Sequence, residues 1–99
     1  MKRSDFLKWN EDTKPVTAPG LVQLNRFCNS VTVLNSGTVN ALVNNDLLPP
    51  GVWKSFGGEP RSIFDGTIEI KWIEQTPAPV PAIQMVTVTQ IFYVDHQNF

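Results

Sequence analysis

Residues Asn35 to Trp53 read NSGTVNALVNNDLLPPGVW. Asn35-Ser36-Gly37 is a turn signal, because Asn and Gly take positive φ at little cost. Thr38 to Val43 then alternates, with Thr38, Asn40 and Leu42 on one side and Val39, Ala41 and Val43 on the other. That is the period of a strand. Asn44-Asn45-Asp46 is a second turn signal, and Leu47-Leu48 lead into Pro49-Pro50-Gly51. A proline pair removes two backbone donors and cannot sit in the middle of a sheet. Gly51 supplies the positive φ of a type II turn with Pro50 at its second position. Short strands joined by sharp reversals are the reading of this stretch, and the turns need no ligand to explain them.

The flanks extend the pattern. Leu21 to Phe27 alternates in part, and Val31-Thr32-Val33-Leu34 is short and β-branched. With Thr38–Val43 these segments predict a hairpin or meander. Val52 to Phe56 predicts another short strand, ended by Gly57-Gly58-Glu59-Pro60. Asp65-Gly66 is a hairpin-type turn signal. Thr67 to Glu74 is the cleanest strand, with Ile68, Ile70 and Trp72 on one face and Glu69 and Lys71 on the other; such alternation marks a sheet with one wet side. TPAPVPA (Thr76–Ala82) predicts an extended, polyproline-like connector. The last strand spans Gln84 to Val94. Val86, Val88, Phe92 and Val94 line one face, Gln90 interrupts them, and Met85, Thr87, Thr89, Ile91 and Tyr93 line the other.

Residues 1–20 read as an arm, with Ser4 capping a short helix over Asp5–Asn10. Pro15 and Pro19 disfavour any regular element after it. Residues 21–95 form a single β domain and 96–99 a tail. The fold expected is all-β: a small antiparallel β-sandwich or barrel, jelly-roll or immunoglobulin-like, with an extended N-terminal arm.

Composition agrees with one small domain. The chain has 99 residues, of which 17% are charged, against about 25% in an average protein. Asn, Thr, Val and Pro fill the difference and favour strands and turns. The formal net charge is −1 and the pI about 5.7. A nucleic-acid binder carries a basic face and a high pI, so no specific nucleic-acid partner is expected. Cys28 is the only cysteine, which excludes an internal disulfide and a thiolate zinc site. The opening MKRSDFLKWNED lacks the apolar run of a signal peptide, and no stretch has the length and hydropathy of a spanning helix.

No constellation of catalytic groups emerges. His96 is the only histidine and lies in the tail, poor ground for a general base. Asp46, Glu59, Asp65, Glu69 and Glu74 read as solubilising charge rather than a glycosidase pair. Asn44-Asn45-Asp46 lacks the acids of a calcium loop. Gly57-Gly58 lacks the frame of a phosphate loop. Cys28 reads as a small, half-buried residue. Trp72 continues the Ile68/Ile70 face and belongs to the core. Trp53 and Trp9 are aromatic candidates for a surface role. No catalytic, cofactor or metal site is assigned.

"VTVLNSGTVNALVNNDLLPPGVWKSF", followed by "DGTIEIKWI", resembles a pattern of small β-sandwich structural proteins of bacterial viruses. The parts that carry it are Asn35-Ser36-Gly37-Thr38, Asn44-Asn45 and Leu48-Pro49-Pro50-Gly51. The resemblance covers less than half the chain and does not account for the N-terminal arm, the doubling of the proline or TPAPVPA. It implies a non-enzymatic virion component (capsid-associated, head–tail or tail-region subunit), made in the host cytoplasm, without a cofactor. The partners it implies are other virion proteins and further copies of this chain, as a homo-oligomer. Phe6, Leu7, Trp9, Trp53 and Phe99 are the interface candidates, and deletion of residues 1–14 is expected to abolish assembly while leaving the sheet folded. The alternative expectation is a small β-sandwich binding module that presents Trp53 to a glycan or a host-surface protein.

Overall fold

The computed structural model describes residues 8–59 and 62–94. Among these residues there are eight strands and no helix. The strands are β1 (Lys8–Val16), β2 (Gly20–Val22), β3 (Cys28–Asn35), β4 (Ala41–Val43), β5 (Asp46–Leu48), β6 (Trp53–Gly57), β7 (Ile68–Trp72) and β8 (Val86–Val94). They form two four-stranded sheets, ordered β1-β8-β3-β6 and β2-β7-β4-β5. Every pairing is antiparallel. Only β4 and β5 are joined by a hairpin within one sheet; every other connection crosses to the opposite sheet. Eight strands in this order make a jelly roll. The expected all-β sandwich is therefore present, in its jelly-roll rather than its immunoglobulin-like form.

Alternation builds the core. Val31 and Val33 of β3 and Val86 and Val88 of β8 point inward from the first sheet. Ala41 and Val43 of β4, Leu48 of β5, and Ile68 and Ile70 of β7 point inward from the second. Together with Cys28 they form one buried cluster between the sheets. Val16, Val22, Leu24, Phe56, Phe64 and Trp72 pack around it. Trp72 thus lies at the core margin, as its strand face predicts. On the wet side of β7, Lys71 and Glu69 approach to 3.5 Å.

The two reversals of Asn35–Trp53 form as their residues dictate. Asn44 and Asn45 both take positive φ, 50° and 67°, the geometry of a type I′ turn, and Val43 pairs with Asp46 across it. The Val52 amide donates to the Pro49 carbonyl at 3.1 Å, with Gly51 at φ 78°. This is the type II corner with Pro50 at its second position.

Other expectations are corrected. The helix over Asp5–Asn10 fails for Lys8–Asn10, which begin β1; Asp5 to Leu7 lie outside the described residues. The arm is also less separate than its composition suggests. Lys8–Val16 pairs along its whole length with β8, from Lys8 opposite Val94 to Val16 opposite Val86. A nine-residue ladder overrides a weak helical start. Pro15 is accommodated because β1 is an edge strand, where alternate amides face away from the sheet. β3 and β4 are not a hairpin, since they lie in opposite sheets. Asp65-Gly66 does not turn a hairpin either; it lies in the irregular crossing from β6 to β7. Cys28 is fully rather than half buried.

Candidate interaction surfaces

The crossing at Asn35 shows how the surfaces are held. Asn35 is 1% exposed. Its Nδ2 donates to the carbonyls of Val39 and Leu48, both at 2.8 Å, and its Oδ1 accepts from the Gly37 amide at 3.0 Å. One side chain therefore ties the end of β3 to the chain entering β4 and to the end of β5. The Gly37 amide also donates to the Met85 carbonyl at 2.9 Å. A side chain at Gly37 would meet the backbone of Ile83 and Met85, so the crossing requires glycine.

Asn29 and Gln90 act in the same way. Asn29 Nδ2 donates to the carbonyls of Glu59 at 2.7 Å and Ser62 at 2.9 Å, and lies 3.2 Å from Tyr93 Oη. Gln90 Oε1 accepts from the Asn25 amide at 2.6 Å. The sequence marked Asn35 as part of a turn and Gln90 as a break in an apolar face, but not the hydrogen bonds that either makes, and it did not single out Asn29.

The outer face of the first sheet is lined with hydroxyls. Thr13 meets Thr89 at 3.1 Å, Thr32 meets Ser55 at 2.9 Å and Ser36 meets Thr87 at 2.9 Å. Large side chains flank them. Trp53, 63% exposed, stands beside Leu34, its register partner on β3. Trp9, 51% exposed, lies against the Tyr93 ring, with centroids 4.6 Å apart. The Trp9 side borders an open hollow of about 460 Å³, also lined by Glu11, Asn29, Ser30, Gly58 and Ile91.

The predicted interface residues thus separate. Trp9 and Trp53 lie on opposite edge strands of one sheet, both exposed. Phe6, Leu7 and Phe99 lie outside the described residues, as does His96. Leu21, Leu47, Val52 and Ile63 are further exposed apolar side chains that the sequence did not single out; Leu47 and Val52 flank the corner between β5 and β6.

Titratable groups do not gather. Among the described residues no group of three or more His, Cys, Asp or Glu side chains could hold a metal ion. Lys54 of β6 bonds Asp46 of β5 and links the two sheets at that side. Burial raises the Cys28 thiol above its ordinary range, and the Sγ lies 3.2 Å from the Ser30 carbonyl. It is a core residue rather than a reactive one. Among the described residues no helix is long and apolar enough to cross a membrane. Compared with known proteins, the chain matches no family model, no curated protein and no solved structure.

Proposed function

We propose that this chain is a non-enzymatic structural subunit of a bacterial virus particle, a capsid-associated, head–tail or tail-region component that acts by protein–protein assembly. The observation that carries the reading is the strand order. The eight-stranded jelly roll recurs in viral capsid domains, and here it encloses the segment from Val31 to Ile73 whose turns resemble phage structural proteins. The support is architectural, since one fold serves many functions. The exposed Trp9, Trp53 and Leu47 agree with it, because aromatic and aliphatic side chains left uncovered on a small domain suit an assembly contact. Light scattering coupled to size exclusion tests the proposal, with a defined homo-oligomer expected.

The second reading is a glycan-binding module, which jelly rolls also form. The open faces of Trp53 and Trp9 favour it, because an indole ring offers an apolar platform. A monomer whose indole emission shifts on adding oligosaccharides or cell-wall fragments would overturn the assembly proposal and install this one.

A further inference from the structure

We infer that β6 is a self-pairing edge, through which two copies of the chain join their first sheets about a two-fold axis at Ser55. The inference rests on the assembly reading above and names its contact surface.

The four edges of the two sheets are not equivalent. β2 and β5 have three residues each. β1 has nine, but Pro15 lacks a donor and Glu11, Asp12 and Lys14 charge it, devices that keep an edge from pairing. β6 has five residues, WKSFG, without proline. Its one charge, Lys54, is held by Asp46 on the inward side.

The hydrogen-bond parity of β6 follows from its ends. The Asn35 amide donates to the Val52 carbonyl at 2.9 Å, and the Gly58 amide to the Asn29 carbonyl at 3.0 Å. Between them the register runs without a shift, from Leu34 opposite Trp53 to Ser30 opposite Gly57. In an antiparallel ladder the bonded pairs alternate. Residues 52, 54, 56 and 58 therefore turn their main chain toward β3. Trp53, Ser55 and Gly57 turn theirs to the open edge, and all three are exposed.

This spacing is self-complementary. With Ser55 opposite Ser55 of the second copy, Trp53 falls opposite Gly57, and Gly57 opposite Trp53. Each is a bonded-type pair, which gives about six main-chain hydrogen bonds. The side chains match as well. Trp53 covers the glycine of the other copy, a stabilising cross-strand arrangement. Lys54 comes opposite Phe56, extending the cation–aromatic contact that Lys54 makes with its own Phe56 ring at 5.6 Å. Two serines meet at the axis without a clash or a charge. A foreign strand would have to reproduce this pattern, whereas a second copy contains it. An isologous contact of this kind closes on itself and makes one continuous sheet of the two β1-β8-β3-β6 sheets.

The test uses the full chain. Mass is measured by light scattering across a concentration series, together with amide exchange at Ser55 and Gly57. Ser55→Pro removes a donor that no internal ladder bond uses, and Trp53→Lys alters only an exposed side chain. Far-ultraviolet dichroism checks folding, and Trp53→Lys carries the test if Ser55→Pro does not fold. The expected result is a wild-type mass of twice 11.1 kDa or an even multiple of it, halved by either folded variant. Protection at Gly57 in either variant, and at Ser55 in Trp53→Lys, is expected to be lost with it. An oligomer whose mass both variants leave unchanged overturns the β6 pairing while the assembly reading stands. A wild-type chain that remains at 11.1 kDa throughout the series also overturns the pairing.

Discussion

Asn35→Asp is the sharpest probe of how the jelly roll holds its first crossing. The substitution keeps the volume and the Oδ1 acceptor for the Gly37 amide. It replaces the Nδ2 donor with a second oxygen, aimed at the Val39 and Leu48 carbonyls that the amide bonds at 2.8 Å. Two buried carbonyls lose their donor, and each such loss costs about 1–3 kcal/mol. A carboxylate oxygen facing them adds repulsion, so a total of about 3–5 kcal/mol is expected. Asn35→Ala removes the donor without adding charge and should cost less, about 2–4 kcal/mol. Stability is read by urea unfolding followed by indole fluorescence. With a slope of roughly 1–2 kcal/mol per molar for a chain this small, the midpoint of the Asp variant falls by about 1.5 M or more. That loss shrinks as pH falls, because the protonated carboxyl regains one donor. A neutral-pH shift below about 0.5 kcal/mol, or an Ala variant less stable than the Asp one, would refute the account of Asn35 as a buried donor.

Three further outcomes follow from the same structure. Gly51→Ala should destabilise by about 1 kcal/mol, through backbone conformation alone, because φ is 78° and no atom lies within 4 Å of the added methyl; a neutral result in urea unfolding would contradict the type II corner. Ile70→Ala, at a fully buried site, should cost about 2–5 kcal/mol, while Leu21→Ala, at an exposed one, should stay within about 0.5 kcal/mol. Burial raises the Cys28 thiol, so the folded chain holds that proton to higher pH than the unfolded chain. The associated stability is present below about pH 8.5 and is lost as pH rises through the folded-state value. Unfolding midpoints measured from pH 7 to 10 should therefore fall more steeply for wild type than for Cys28→Ala.

The strands that were legible in the sequence are those whose information is local. β7 and β8 alternate over enough residues to fix both strand and face, and Ile68, Ile70, Val86 and Val88 are buried accordingly. The Asn44-Asn45 and Pro50-Gly51 reversals are written in residues that tolerate or impose the necessary φ. What was not legible depends on distant partners. Lys8–Val16 is polar and contains a proline, and only β8, at the other end of the chain, makes it a strand. The assignment of β3 and β4 to different sheets is likewise a property of the crossing, where Asn35 bonds Leu48 of β5 as well as Val39 in the connection to β4. The tryptophans divide in the same way. Trp72 could be placed inward from its own strand, whereas the exposure of Trp53 depends on β6 turning Lys54 and Phe56 toward the second sheet. Trp9 is exposed because pairing with β8 turns it, like Thr13, to the outer face of the first sheet, which no local pattern records.

Edge position also changes what a truncation can mean. Residues 1–14 include Lys8–Lys14, most of the β1 ladder with β8. Their removal would uncover the main chain of β8 and the side chains of Gln90 and Phe92, which border the groove beside Asn10, Asp12 and Lys14. A newly opened hydrophobic edge invites non-specific pairing. The expected product is therefore a destabilised, aggregating chain, not the folded monomer that a free arm would leave. Light scattering should show high, polydisperse mass, and the urea midpoint should fall by at least about 1 M. A monodisperse variant with the wild-type midpoint would show that β1 is dispensable and return it to the role of an arm. Point substitution on β6 avoids this confusion. It changes an edge that is already open and leaves every internal ladder in place, so a change in mass there reports on assembly alone.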